Sequence, residues 1–91
     1  MQSLFSELHW TSERIEKIAG GHGVLPDEVE EAFYDDEHGR LFRSRANRYL
    51  YCGRTHAGRL VLVVLVDEGD GLAGPISARE PTEAERRRYF D

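Results

Sequence analysis

Residues Arg59 to Val66 read Arg-Leu-Val-Leu-Val-Val-Leu-Val, between Gly58 and the polar run Asp67-Glu68-Gly69. Seven aliphatic residues in a row are too few to span a membrane and too rich in β-branched side chains for a helix. A strand with one wet face would alternate apolar with polar, so this run predicts a strand covered on both faces. The cover comes from helices of the same chain, from a partner, or from both. The rest of the chain is expected to be built around it.

With 91 residues there is room for one domain, taken as 1–91, and for one core. A chain of this size buries little more than about 60% of the surface it exposes when unfolded. The lone Cys52 excludes an internal disulfide framework. The start Met-Gln-Ser-Leu-Phe-Ser-Glu lacks the basic front and apolar run of a secretory signal, so a cytoplasmic location is expected. A net charge of -5 argues against indiscriminate nucleic-acid binding, but the charge is unevenly spread. Residues 1–37 carry ten acids against Arg14 and Lys17, residues 38–66 carry six arginines and no acid, and residues 67–91 carry seven acids against four arginines.

Thr11 or Ser12 is placed to cap a first helix, with Glu13 and Glu16 in its positive first turn. Trp10 and Ile15 have the spacing of a hydrophobic staple, and Ile15, Ile18 and Ala19 form the expected buried stripe. Gly20 and Gly21 end that helix. Pro26 begins a second, whose apolar face is Val29, Ala32 and Phe33. Tyr34 to Gly39 reads as a loop. A strand follows near Leu41 to Arg45, and another from Arg48 to Thr55. Its period of two puts Tyr49 and Tyr51 on one face and Arg48, Leu50, Cys52 and Arg54 on the other. The short His56-Ala57-Gly58 link makes it the hairpin partner of the aliphatic strand. After a turn at Asp67 to Gly71 comes a last strand, Leu72 to Arg79. Pro75 lacks a ladder donor and so requires a sheet edge or a bulge near Gly74. Thr82-Glu83-Ala84-Glu85 fits a capping box opening a C-terminal helix. The connections leave no room for parallel crossovers. The expected fold is therefore α+β: two N-terminal helices, a four-stranded antiparallel meander and a C-terminal helix.

Chemistry-bearing motifs are sparse. His9, His22, His38 and His56 are scattered without metal-ligand spacing, no cofactor motif is visible, and Gly20-Gly21-His22-Gly23 follows a helix where a phosphate loop would precede one. Cys52, among apolar strand neighbours, reads as packing. Arg40, Arg43, Arg45, Arg48, Arg54 and Arg59 surround Tyr49 and Tyr51, a mixture suited to phosphate contacts and base stacking on a sheet. The same arginines also fit a solvated edge or ion pairs to the acidic helices.

Trp10, His22-Gly23-Val24, Glu28 to Phe33, Arg48-Tyr49, Gly53-Arg54, Gly58-Arg59-Leu60, Ile76-Ser77-Ala78-Arg79 and Glu85-Arg86 to Tyr89 together resemble the BrnT family of toxins. The Ile-Ser-Ala-Arg strand followed by Thr-x-x-Glu-Arg is the most specific part. This resemblance implies a RelE-like fold and a type II toxin that cleaves messenger RNA without a metal or cofactor. It also implies a BrnA-like antitoxin partner, through whose ribbon-helix-helix part any contact with DNA is made. No membrane role is implied.

Cleavage of that kind requires removal of the 2′-OH proton, positive charge on the phosphorane and a proton for the leaving oxygen. Arg48, Arg54 and Arg79 are the candidates for charge, since guanidinium matches phosphate without changing protonation. His22 and Tyr89 are the candidates for proton transfer. Structural roles compete with each: an ion pair from Arg79 to Glu80 or Glu85, a turn cap for His22, packing for Tyr89. Gly21 and Asn47 stand where many members carry lysine and glutamate, which favours a second reading, a catalytically weakened or inactive module that holds a protein partner. The strand Leu60 to Val66 also exceeds what a short C-terminal helix covers, so a second chain is expected on the sheet or beside it, with self-association as a homodimer the alternative.

Overall fold

The computed structural model describes residues 4–90. The aliphatic run is β4 (Leu60–Gly69), third in a five-stranded sheet whose spatial order is β1-β5-β4-β3-β2. Its neighbours β3 (Arg48–Arg54) and β5 (Leu72–Arg79) pair with it antiparallel, and β2 (Arg40–Arg43) closes the far edge. These four strands form the expected meander. The fifth corrects that expectation: β1 (Glu7–Leu8) lies parallel to β5 through Leu72 and Ala73, which makes the sheet mixed. Two residues are too short to show a period. What holds β1 is tertiary, the Leu8 N–H donating to the Tyr34 hydroxyl at 2.8 Å.

Pro75 is accommodated twice over. The ladder from β1 ends where the His9 N–H donates to the Ala73 carbonyl, short of the proline. Ile76 is the extra residue of a bulge, since Val64 pairs with Ser77 and Leu65 with Pro75. Glu68 is extra in a second bulge. The hairpin after it turns through Asp70 and Gly71 at φ 54° and 81°, the geometry that two-residue hairpin turns require.

α1 (Ser12–Ala19) is capped by Thr11, whose hydroxyl accepts from the Arg14 N–H. Of its expected stripe, Ile18 is buried, but Ile15 and Ala19 are exposed. The helix meets the sheet along a narrow line, chiefly against β5. α2 (Pro26–Glu30) continues as a π-helical segment, Glu31–Asp35. Both helices cover one face of the sheet, where Val24, Val29, Ala32, Phe33, Tyr51, Val61, Val63 and Leu65 form the core. Transfer of such side chains out of water, at about 1.5 to 3 kcal/mol each, is the main force holding the layers together. Thr82 caps α3 (Glu83–Glu85), which continues as a π-helical segment, Arg86–Phe90, and the capping box forms in both directions.

The face on which each strand residue lies follows from the pairing. Directly opposed residues share a face, so Arg40, Cys52, Leu62 and Arg79 form one cross-strand row. Phe42, Leu50, Val64 and Ser77 form the next. Arg54 opposite Leu60, and Arg48 opposite Val66, flank these rows. This second face is therefore an apolar strip framed by Arg40, Arg48, Arg54 and Arg79. The C-terminal segment covers it in part: Cys52 and Leu62 are buried, while Phe42, Leu50, Val64 and Val66 stay half-exposed.

Candidate functional site

The tyrosines do not form a stacking platform. Tyr51 is buried and donates its hydroxyl to the Ala32 carbonyl at 2.7 Å, and burial pushes its pKa up to about 12. Tyr49 packs edge-on against Phe5, with ring centroids 5.3 Å apart. The strand parity is as expected, but the helices settle on the tyrosine face, which leaves the arginine face open.

On that open face a cleft of about 410 Å³ is lined by Asp36, His38, Arg40, Cys52, Gly53, Arg54, Tyr89 and Phe90. Asp36 builds one wall, its carboxylate accepting from the Arg54 N–H at 2.7 Å and from the His38 N–H at 2.9 Å. Tyr89 packs on Phe42, centroids 5.0 Å apart, and its carbonyl accepts from Arg40 at 3.4 Å. Cys52 lies on the floor as a thiol, its pKa pushed up to about 12 by burial. It is no nucleophile at neutral pH.

The candidates named from sequence are only partly brought together. Arg54 and Tyr89 share this cleft, and Arg54 also borders a neighbouring one lined by Arg59, Glu80, Pro81 and Arg86. Arg79 lies on the same face in the Cys52 row, but both its terminal nitrogens hold Glu85, at 2.6 and 2.7 Å. The ion pair raises the arginine pKa and, with the Thr82 backbone, lowers that of Glu85 to about 2. Arg48 stands at the opposite end of β3 from Arg54, roughly 20 Å away along the strand. His22 lines a small cavity beside Lys17, Ile18 and Ile76 to Ala78 at the β5 side of the sheet, two strands from Arg54 in the sheet order.

Ion pairing with the acidic first third accounts for one of the six clustered arginines. Arg59 binds Glu80 at 2.7 Å and Glu28 at 2.9 Å, clamping β4 to α2 and to the end of β5. Arg40, Arg43, Arg45, Arg48 and Arg54 have no carboxylate partner among the described residues. Instead, Glu31 and Asp35 are engaged by His56, and Glu68 by His9 and Arg14.

His38 is the lining residue that sequence reasoning passed over, since one histidine in a polar loop carries no spacing signal. The pattern Asp36-x-His38-x-Arg40, leading into a strand, is the cue that was present. No group of three His, Cys, Asp or Glu side chains able to hold a metal occurs among the described residues. No helix among them is long and apolar enough to cross a membrane.

No protein-family model matches the chain, and no curated protein matches it significantly. Among solved structures it is similar to the ribonuclease toxin BrnT of Brucella abortus, known at 1.1 Å resolution. The TM-score is 0.66 at 16% sequence identity, over 85% of this chain and 97% of that one. At that identity the likeness establishes the fold.

Proposed function

We propose that the chain is the toxin of a type II toxin–antitoxin pair, an endoribonuclease that cleaves messenger RNA in the cytoplasm through its 2′-hydroxyl. The observation that carries this reading is the arginine-framed face. Among the described residues Arg40, Arg48 and Arg54 stay without a carboxylate partner, although the chain carries a net charge of -5. The shared fold with a ribonuclease toxin supports the same reading.

In this mechanism Arg54 and Arg40 bind the scissile phosphate and offset the charge that develops on it, so no metal is required. Arg79, in the same cross-strand row as Arg40, joins them by exchanging its Glu85 carboxylate for phosphate. The Tyr89 hydroxyl transfers a proton at the cleft, and Arg48 holds the RNA backbone farther along the strand. His38, which lines the same cleft, supplies the second proton transfer, since His22 lies two strands away and does not reach the phosphate held there. A BrnA-like antitoxin neutralises the chain, and contact with DNA comes through that partner. The half-exposed strip of Leu50, Val64 and Val66 supports a bound protein chain on this face.

Induced expression should arrest growth, and co-expression of the adjacent reading frame should relieve the arrest. Arg54→Ala should abolish it while the protein stays folded. Continued growth on induction of the wild-type chain would overturn the proposal.

A specific observation favours a second reading, an inactive module that holds a protein partner. A Cβ at Gly21 would lie 2.9 Å from the Lys17 carbonyl oxygen, so this backbone excludes a lysine there unless the turn shifts. Asn47 donates weakly to the Asp67 carbonyl at 3.5 Å and brings no charge. Complex formation with the neighbouring gene product, with no RNA cleavage by the free chain, would favour that reading.

A further inference from the structure

On the helical side, away from the arginines, a groove of about 380 Å³ opens between the starts of α1 and α2. Trp10, Ile15, Leu25, Pro26, Asp27 and Glu30 line it. Ile15 is 43% exposed and Leu25 55%, two of the four large apolar side chains that stand most open to water among the described residues. The Trp10 indole N–H donates to Glu30 at 3.0 Å, which orients the ring within the groove. An aromatic floor held in this way loses little entropy on binding.

Its charge is one-sided. Both ionisable lining residues are carboxylates, and Glu13 and Glu16 on α1 add to them, whereas Glu28 and Glu31 are already engaged by Arg59 and His56. The only cations in the first 37 residues, Arg14 and Lys17, face elsewhere: Arg14 is held by Glu68 at 2.8 Å and Lys17 lines a different cavity.

We propose that this groove docks a basic, amphipathic segment of another protein. One large apolar side chain enters between Ile15 and Leu25 over Trp10, and flanking Lys or Arg residues meet Asp27 and the neighbouring acids. Apolar contact supplies the affinity, while charge selects the partner and speeds encounter. The inference is independent of the ribonuclease reading, since no groove residue borders the arginine face.

A displayed random-peptide library selected on the full chain, with the Ile15→Ser, Leu25→Ser double variant as counter-target, tests it. Selection should enrich peptides with an aliphatic or aromatic residue among Lys and Arg. Because Trp10 is the sole tryptophan, a synthesised winner should shift its emission saturably. Leu25→Ser and Asp27→Lys should each weaken binding by about tenfold or more. Acidic or uncharged winners, no enrichment, or equal binding to the variants would overturn the proposal. So would a dimer of the free chain that Leu25→Ser dissociates, for a second copy would then be the occupant.

Discussion

Arg79 holds both carboxylate oxygens of Glu85, and the same carboxylate accepts the Thr82 N–H at 2.9 Å. One side chain thus fastens the end of β5 to the first turn of the C-terminal helix and completes that helix's cap. Glu85→Ala should lower stability by about 1 to 2 kcal/mol, the range for a lost cap with a partly exposed ion pair. Glu85→Gln, which keeps one acceptor, should cost less. Urea midpoints of the three proteins check this. An equal loss for the two variants would mean that the acceptor counts for nothing.

The acid limb of the stability curve has two identifiable sources. Hydrogen bonds from Arg14 and then His9 lower Glu68 from 4.5 to about 2, and Arg79 and the Thr82 backbone do the same for Glu85. A lowered carboxylate stabilises the fold above its unfolded pKa and loses that contribution as pH falls through the folded value. Stability should therefore decline from about pH 4.5 toward about pH 2. Glu68→Gln should be less stable than wild type at neutral pH and approach it near the acid end. A constant gap at all pH values would contradict this assignment.

Gly39 and Tyr51 are locked by contact. A Cβ at Gly39 would land on the Tyr51 hydroxyl, which is already committed to the Ala32 carbonyl. Gly39→Ala should cost about 2 kcal/mol or more through overpacking, against about 1 to 2 kcal/mol for Tyr51→Phe, which leaves an acceptor unpaired. Because that Cβ would also lie 2.5 Å from the ring carbon bearing the hydroxyl, Tyr51→Phe should restore only part of the stability lost in Gly39→Ala. Full additivity of the two changes would refute it.

What could be read from the chain follows from how local each signal is. The position of β4 was legible because an unbroken aliphatic run requires cover on both faces, and α3 because Thr82 and Glu85 satisfy each other within one turn. β1 was not, since Glu7 and Leu8 owe their pairing to a strand more than sixty residues later in the sequence. Parity separated Tyr51 from Arg54, but which face the helices cover is decided by tertiary packing. Ile15 misled for a related reason: its spacing is that of a buried helix face, yet the helix touches the sheet through Ile18. Of the candidate site residues, Arg54 and Tyr89 converge. Arg79 was equally readable as an ion-pair partner, and that pair forms.

The arginine face should also reveal itself in salt. Single-stranded RNA binding should weaken with a log–log slope of about -0.7 per neutralised phosphate. Arg48→Ala and Arg54→Ala should each reduce that slope by somewhat less than one unit. Arg59→Ala should not, since Glu28 and Glu80 neutralise it. Filter binding across a salt series reads this directly. A slope unchanged by Arg54→Ala would remove that residue from the RNA contact.

The most direct measurement is cleavage, by the purified chain and in excess chelator, of one RNA oligonucleotide and of its counterpart carrying 2′-deoxy at the scissile nucleotide. The account predicts that the RNA is cut to a 2′,3′-cyclic phosphate and a free 5′-hydroxyl, that the 2′-deoxy strand is left intact, and that Arg54→Ala cuts neither. Equal cleavage of both strands, or activity that appears only on adding a divalent metal, would contradict it.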